Sequence, residues 1–291
     1  MQQVIAQSQL EDLPRLPEVT FLTHKRTVDQ SALSLIPEDQ TTQGLYPCNV
    51  YGDGNCLPRC ASLLVYGHEE NHLEMRTRII DELVRHEDNY LDENMLMNGC
   101  NSSANRNVAA TFAMFSENYY TQQLTGVAVQ RIFRAEVIDL CQSGRYMGAW
   151  QMSALANVLK TAVVSVYPLY GGKTIRDDLH RRFPPFRMSE QDKAKEVYIM
   201  WSNINGANIP EIDWQPNHFV PLLKTSPEEN HPSVDQSCAN EVEALSPMFA
   251  FEDDDDGSNT SLLSNIIREL GDDQMPDVDI QTTIADGIDI Y

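Results

Sequence analysis

Apolar residues recur every three or four positions through much of the chain before residue 160, which is the spacing of an amphipathic helix. The segment at 71–91 is the clearest case, and these apolar residues can share one helical face: Leu73, Met75, Ile79, Ile80, Leu83 and Val84. The same spacing predicts a helix in "PRCASLLVYG" that ends at Gly67, and another in "AVQRIFRAEVIDLCQSG" that ends at Gly144. A further helix is predicted from Trp150 to Leu159.

The pattern changes after Leu159, where β-branched residues replace the helical spacing. The run "AVVSVYP" predicts a strand, and "KEVYIMWSNI" and "HFVPLLK" predict two more. Helices therefore come first and strands predominate at the end. This order predicts an α+β fold in which helices flank a small central β-sheet.

The formal net charge of −22 is distributed unevenly. Residues 225–291 contain 17 acidic residues and one basic residue, whereas residues 1–224 contain 26 acidic and 20 basic residues. Proline, serine, asparagine and acidic residues dominate the C-terminal segment, which is typical of disorder. We therefore predict a flexible N-terminal lead at 1–18, one globular domain at 19–224 and an acidic disordered tail at 225–291.

Two short apolar clusters, "MFAF" and "LLSNIIREL", interrupt the acidic tail. Acidic and apolar residues in alternation can form a motif that folds on binding a partner. A tail that only adds solubility is the alternative interpretation.

Charge and hydropathy exclude several classes of protein. A strongly acidic chain is not expected to bind nucleic acid or an anionic membrane. The first twenty residues show no apolar run typical of a signal peptide, and no stretch approaches the roughly 20 apolar residues of a membrane helix. We expect a soluble intracellular protein, cytoplasmic or nuclear, in which the six cysteines stay reduced rather than forming disulfides.

Two cysteines lie four residues apart in "VYGDGNCLPRCASLLVYG", at 50–67. Cys56 and Cys60, with His68 and His72 nearby, could form a zinc site. However, Cys60 falls inside the predicted helix beside apolar residues, where cysteine usually packs as a small core residue. We therefore expect no metal here.

Cys56 itself stands where the predicted helix begins, directly after a turn formed by Asp53, Gly54 and Asn55. A helix N-terminus stabilises a thiolate, and glycine allows the tight turn that exposes backbone N–H groups around the sulfur. Such donors can bind the oxyanion of an acyl-transfer reaction. The residues of this stretch fit a catalytic nucleophile, and they equally fit a turn with a structural cysteine.

A cysteine nucleophile also needs a base, which is usually a histidine from elsewhere in the chain. Of the seven histidines, His218 differs from the others because it opens an apolar strand, where it can project into a cleft. A structural histidine is the alternative.

Taken together, "DGNCLPR", "GAWQMSALANVLKTAVVSVY" and "NHFVPLL" resemble, in this order, the OTU (ovarian tumour) family of cysteine proteases. The resemblance covers residues 46–223, and "MWSNINGANIPEIDWQPNHFVPLL" is also similar to vertnin-like and transposon-associated OTU proteins. The resemblance implies a papain-like fold, a deubiquitinase that cleaves isopeptide bonds of ubiquitin or polyubiquitin, and no cofactor. It implies these roles: Cys56 as nucleophile, His218 as general base and acid, Asp53, Gly54 and Asn55 as the oxyanion loop, and Trp150 as a cleft wall or core support.

One position departs from the family pattern. Many OTU proteases carry Asp or Asn two residues after the histidine, but this chain has Val220. Four other residues are candidates to orient His218: Asp29, Asp39, Asn203 and Asn217. Losing an orienting acid can be costly, so we consider two alternatives, a weak or inactive ubiquitin-binding module and a protease for a ubiquitin-like modifier.

Overall fold

The computed structural model describes residues 12–14, 16, 21–22, 26–39, 41–100, 107–170, 173–187, 195–210 and 214–225. The lead predicted at 1–18 lies mostly outside these residues. The acidic tail predicted at 225–291, including its two apolar clusters, lies outside them beyond Thr225.

Nine α-helices occur within the described part of the chain, and most of them precede the main strands. Their bounds are α1 Gln30–Leu33, α2 Cys56–Tyr66, α3 His72–Arg85, α4 Glu87–Leu91, α5 Glu93–Met97, α6 Val108–Met114, α7 Gly126–Asp139, α8 Ala149–Leu159 and α9 Lys173–Leu179. A 3-10 turn lies at Gly206–Asn208.

Among the described residues, six strands form one mixed sheet. Their bounds are β1 Phe21–Leu22, β2 Leu45–Pro47, β3 Ala162–Val166, β4 Arg181–Phe183, β5 Glu196–Ser202 and β6 His218–Thr225. The strand order is β1-β6-β5-β3-β4, and β2 also pairs with β6. β3 and β5 are parallel, whereas β6 runs antiparallel to both β5 and β2.

The predicted α+β class is confirmed, with helices packed against a small sheet. α2 packs on α3 and on β6, and α3 packs on α8. The predicted cap at Gly67 is also confirmed, because this residue ends α2 in the left-handed conformation with φ of 80°. Among the residues that the structure describes, no helix is both long and apolar enough to span a bilayer.

Two details of the predicted helices were wrong. Leu73 lies in the first turn of α3 and is 43% exposed, so the buried stripe of this helix begins at Met75. Gly144 does not end α7, which is capped earlier by Leu140. Gly144 adopts a φ of 82° because it belongs to a tight loop that contacts the turn before Cys56.

Candidate functional site

Cys56 is the first residue of α2, and its side chain is buried against β6. Burial raises the pKa of the thiol to about 11. The N–H groups of Phe219, Leu57 and Cys56 itself act in the opposite direction as hydrogen-bond donors to the sulfur. The N–H groups of Cys56 and Leu57 belong to the first turn of α2 and have no partner within the helix, so they remain able to stabilise negative charge on the sulfur.

His218 opens β6 and is also buried, with 3% of its surface exposed. Its ring lies against Gly52, since a Cβ added to that glycine would sit 3.7 Å from both Nδ1 and Cε1. Burial lowers the pKa of the imidazole, against the effect of nearby Asp29 and of the Val50 backbone. The neutral form of His218 is therefore favoured, which is the form that can accept a proton.

Cys56 and His218 belong to two elements that pack together, α2 and β6. The Cys56 sulfur faces the N–H of Phe219, the residue that follows His218 in β6. Among the hydrogen bonds of the described residues, none joins the Cys56 thiol to the His218 imidazole. Burial thus favours the neutral forms of both the Cys56 thiol and the His218 imidazole, and the two groups are not hydrogen-bonded to each other.

The turn before Cys56 is held by its own side chains. The Asp53 carboxylate accepts hydrogen bonds from Arg59 Nε at 3.1 Å and Nη2 at 2.7 Å, and from the Asn55 backbone at 3.0 Å. Burial alone would raise the pKa of Asp53, but hydrogen bonds from Arg59 and Asn55 outweigh it and hold the pKa well below its usual value. Asp53 therefore braces the turn through its carboxylate.

Gly54 gives this turn its shape, with a φ of 79° that side chains rarely adopt. Asn55 then fastens the turn to the loop after α7. Its Oδ1 accepts a hydrogen bond from the Gly144 N–H at 3.2 Å, and its Nδ2 donates to Ser143 Oγ at 3.4 Å. The oxyanion loop predicted from Asp53, Gly54 and Asn55 is thus a rigid turn anchored at both ends.

Of the four residues predicted to orient His218, only Asp29 lines the same pocket as the imidazole. Asp29 also caps α1, because its Oδ1 accepts a hydrogen bond from the Ala32 N–H at 2.8 Å. Asp39 instead accepts hydrogen bonds from the backbone of Thr41 and Thr42.

The two asparagines bind the backbone of the loop between β5 and β6. Asn203 Nδ2 donates to the Gln215 carbonyl at 2.7 Å, and Asn217 Oδ1 accepts from the Ile204 N–H at 3.0 Å. Val220 is fully buried and pairs with Met200 of β5. The position at which many OTU proteases carry a polar residue is therefore part of the core.

Trp150 lies in the core, with 1% of its surface exposed. Its ring packs edge-on against Phe112 and Phe133, and its Nε1 donates to the Tyr90 carbonyl at 3.1 Å. Of the two roles predicted for this residue, these contacts correspond to core support.

The other members of the zinc alternative have separate surroundings. Cys60 is fully buried, His68 pairs with Glu70, and His72 Nδ1 lies 3.0 Å from the Glu69 carbonyl. No group of three metal-binding side chains occurs in the described ranges.

Sequence reasoning missed two arginines that build the site. Arg59 anchors Asp53, and Arg76 donates hydrogen bonds to Asn55 and Gly54. Arg76 carried a signal in the sequence, since it lies three, four and seven positions before the apolar residues Ile79, Ile80 and Leu83. An arginine within the apolar stripe of a helix is typical of a buried, fully hydrogen-bonded charge.

This fold and this cysteine turn agree with the result of a comparison with protein families. A family model described as "Vertnin, OTU domain" matches residues 47–202, which is more than half of the chain and includes the Cys56 turn. The molecule is thus an OTU-domain protein in class. More narrowly, the chain belongs to the vertnin OTU-domain family.

Vertnin from Danio rerio is 30% identical over 207 residues, an alignment that covers 68% of this chain and 28% of that protein. Vertnin from Homo sapiens is 29% identical over 226 residues, covering 76% and 30% of the two chains. The chain thus spans less than a third of the length of these curated relatives. Among solved structures, the viral OTU domain protease from Farallon virus aligns with a TM-score of 0.33 and 15% identity, over 64% of this chain and 96% of that one.

Proposed function

We propose that this protein is a thiol hydrolase of the OTU type that cleaves isopeptide bonds at the C-terminus of ubiquitin. One observation carries the proposal: Cys56 begins α2 directly against the strand that His218 opens. Membership of an OTU-domain family supports the same chemistry. The anchored turn at 53–55 supports it further, because it fixes the backbone around the nucleophile.

In the proposed reaction, the neutral imidazole of His218 takes the proton of the Cys56 thiol. The thiolate attacks the carbonyl carbon of the isopeptide bond, and backbone N–H groups around Cys56 stabilise the oxyanion. His218 then gives its proton to the leaving lysine amine as the C–N bond breaks. Water, deprotonated by the same imidazole, hydrolyses the resulting thioester and restores the thiol.

The resting geometry adds one requirement to this mechanism. The thiol and the imidazole are buried and not hydrogen-bonded to each other, so a bound substrate must bring them together. Catalytic hydrogen bonds commonly tighten only in the substrate complex. We therefore expect slow basal reactivity of Cys56 and faster reaction when ubiquitin occupies the site.

The test uses a ubiquitin probe with a thiol-reactive group at its C-terminus. Wild type should form a covalent adduct, and Cys56→Ala and His218→Ala should not. Cys60→Ala is the matched control, because Cys60 lies one turn further along α2 and is fully buried; it should form the adduct like wild type. Absence of an adduct with wild type would refute the hydrolase, and an adduct with Cys56→Ala would refute the nucleophile.

A second candidate function is a ubiquitin-binding module without catalysis. The buried Val220 favours it, because this side chain cannot orient the imidazole. Titration with ubiquitin, combined with a panel of ubiquitin chains and ubiquitin-like conjugates, separates the candidates. Binding without cleavage supports the module, whereas cleavage confined to a ubiquitin-like conjugate indicates a different substrate for the same thiol.

A further inference from the structure

Arg76 of α3 is a buried arginine, 4% exposed, that directs its guanidinium at the turn before Cys56. Its Nε donates to Asn55 Oδ1 at 2.9 Å, and its Nη2 donates to the carbonyl oxygens of Gly54 at 3.1 Å and Arg145 at 2.7 Å. Its Nη1 donates to the carbonyl oxygens of Leu140 at 3.0 Å and Gln142 at 3.4 Å. All five N–H donors of the side chain are therefore used.

These acceptors belong to two segments that are far apart in the sequence. Gly54 and Asn55 form the turn before the nucleophile, whereas the other three carbonyls belong to the segment at 140–145 after α7. The two segments also touch through Gly54 and Gly144. One rigid, planar side chain thus fixes the turn to the loop behind it.

The charge of Arg76 faces only neutral hydrogen-bond acceptors among the described residues. Its five acceptors are four backbone carbonyls and one amide oxygen, so all of them are neutral. Within the described ranges, no carboxylate lies at salt-bridge distance from Arg76. Arg59 differs, because it pairs with Asp53 at 2.7 Å and with Glu69 at 3.5 Å.

A buried cation without a counter-ion is costly, and it strongly favours an anion placed beside it. The turn that Arg76 binds leads directly into Cys56, where a thiolate and then an oxyanion form in the proposed reaction. Burial lowers the pKa of Arg76 to about 10, and the nearby Cys56 and Asp53 act in the opposite direction. At this pKa the guanidinium stays charged at neutral pH.

We propose that Arg76 is a positioning residue that has two effects on the thiol centre. Its hydrogen bonds hold the turn at 53–55 in shape, and its charge, which has no salt-bridge partner among the described residues, stabilises negative charge on Cys56. The use of that thiolate in hydrolysis rests on the proposed function, whereas the effect of Arg76 on the thiol does not.

The experiment measures alkylation of Cys56 in the full chain, resolved from the other cysteines by peptide mass spectrometry. Two reagents of similar size are compared, anionic iodoacetate and neutral iodoacetamide. The ratio of their rates reports the local charge at Cys56, and because both reagents need the same exposure, a change in packing affects both alike. The reference is the same ratio for Cys56 in urea-unfolded chain.

Folded wild type should favour iodoacetate over the unfolded reference by about threefold or more, as expected for a unit charge at short range. Arg76→Gln should lose this preference, and Arg76→Lys, which keeps the charge but not the planar fork, should retain it within about twofold. Arg78→Lys is the matched control on the same helix, where Arg78 pairs with Glu74, and it should behave as wild type.

Folded wild type with no iodoacetate preference would overturn the electrostatic role, and this outcome needs no variant to fold. Loss of the preference in Arg76→Lys as well as Arg76→Gln would also contradict it. The turn-holding role predicts slower labelling of Arg76→Lys than of Arg78→Lys by the ubiquitin probe, and equal rates would contradict it. If wild type gives no ubiquitin adduct yet keeps the iodoacetate preference, the hydrolase fails, and the electrostatic role of Arg76 stands.

Discussion

Gly54 and Gly144 are in backbone contact, and a Cβ added to Gly54 would sit 1.8 Å from the Gly144 carbonyl oxygen. Both residues have positive φ, at 79° and 82°. Two segments far apart in sequence therefore approach more closely here than any side chain would allow. The shape of the turn before Cys56 depends on this contact.

Gly54→Ala should accordingly reduce the free energy of unfolding by about 2–4 kcal/mol, because it adds a steric clash to left-handed strain. Urea denaturation measures the effect. Gly126→Ala is the control, since a Cβ at Gly126 meets no atom within 4 Å and this residue begins α7. It should be neutral or stabilising by up to about 1 kcal/mol. Equal losses in both variants would show that the close contact does not matter.

Asp29 should tune His218 through its charge. The nearby Asp29 carboxylate acts to raise the pKa of the imidazole against burial, so Asp29→Asn should lower that pKa further while its amide oxygen preserves the cap of α1. The C–H resonances of His218, followed by NMR against pH, measure the shift directly. If the hydrolase is active, the acid limb of its pH profile should move to lower pH by the same amount.

Asp39→Asn is the matched control for this comparison, because the Asp39 carboxylate accepts hydrogen bonds from Thr41 and Thr42 instead. It should leave the titration of His218 unchanged. An Asp29→Asn titration that coincides with wild type would remove Asp29 as the acid that acts on the histidine.

Glu136 of α7 should make stability depend on pH. Burial raises its pKa from 4.5 to about 7, although the side chains of Ser116 and Gln151 oppose this shift. The folded state thus binds a proton that the unfolded state releases between these two values. The contribution of Glu136 to the free energy of unfolding is therefore fully present below about pH 4.5, and it is lost as the pH rises through 7.

Glu136→Gln should remove that loss, raising the free energy of unfolding at pH 8 by about 2–3 kcal/mol with little change at pH 4.5. Glu70→Gln is the control, because the Glu70 side chain is 85% exposed and its charge is not among those that shift the pKa of Glu136. Urea denaturation at the two pH values measures both. A Glu136→Gln effect of the same size at both pH values would argue against a buried, protonated carboxyl group.

Tyr146 should tolerate loss of its hydroxyl. Its ring stacks on Phe219, with centroids 5.4 Å apart, while the hydroxyl oxygen is buried without a hydrogen-bond partner among the described residues. Tyr146→Phe should therefore be neutral, or stabilising by about 1 kcal/mol. Thermal unfolding followed by circular dichroism tests this expectation.

Tyr90→Phe provides the contrast. The Tyr90 hydroxyl donates to Glu82 at 2.9 Å and accepts from Asn157 at 2.9 Å, so its removal should cost about 1–3 kcal/mol. If Tyr146→Phe lost as much stability as Tyr90→Phe, the Tyr146 hydroxyl would have to form a hydrogen bond in the folded protein.

Local signals in the sequence predicted the local parts of the fold. Gly67 ends α2 because glycine adopts the left-handed conformation freely, and the apolar runs around Val163 and Phe219 form strands. Cys56 could also be placed at a helix start from the local sequence, because turn residues precede it directly. These predictions depended only on neighbours within a few positions.

The supports of the site were missed because they join distant residues. Arg76 reaches carbonyls 64 and 69 positions away in sequence, and no local pattern specifies such partners. Gly144 resembled a helix cap, but its conformation serves a contact with Gly54. Asp29 could be proposed for the His218 pocket but not chosen, because its position depends on the bridge that joins Val28 to Cys48.

The pairing of β6 affects when the site can form during synthesis. This strand supplies His218 and the Phe219 N–H, and it pairs with β1 and β2 from the opposite end of the domain. During synthesis, a nascent chain that stops short of β6 contains Cys56 but lacks both His218 and the strand that packs on α2. Contacts at such long sequence separation form slowly. The surroundings of Cys56 are therefore completed only when β6, the last strand of the described residues, joins the sheet.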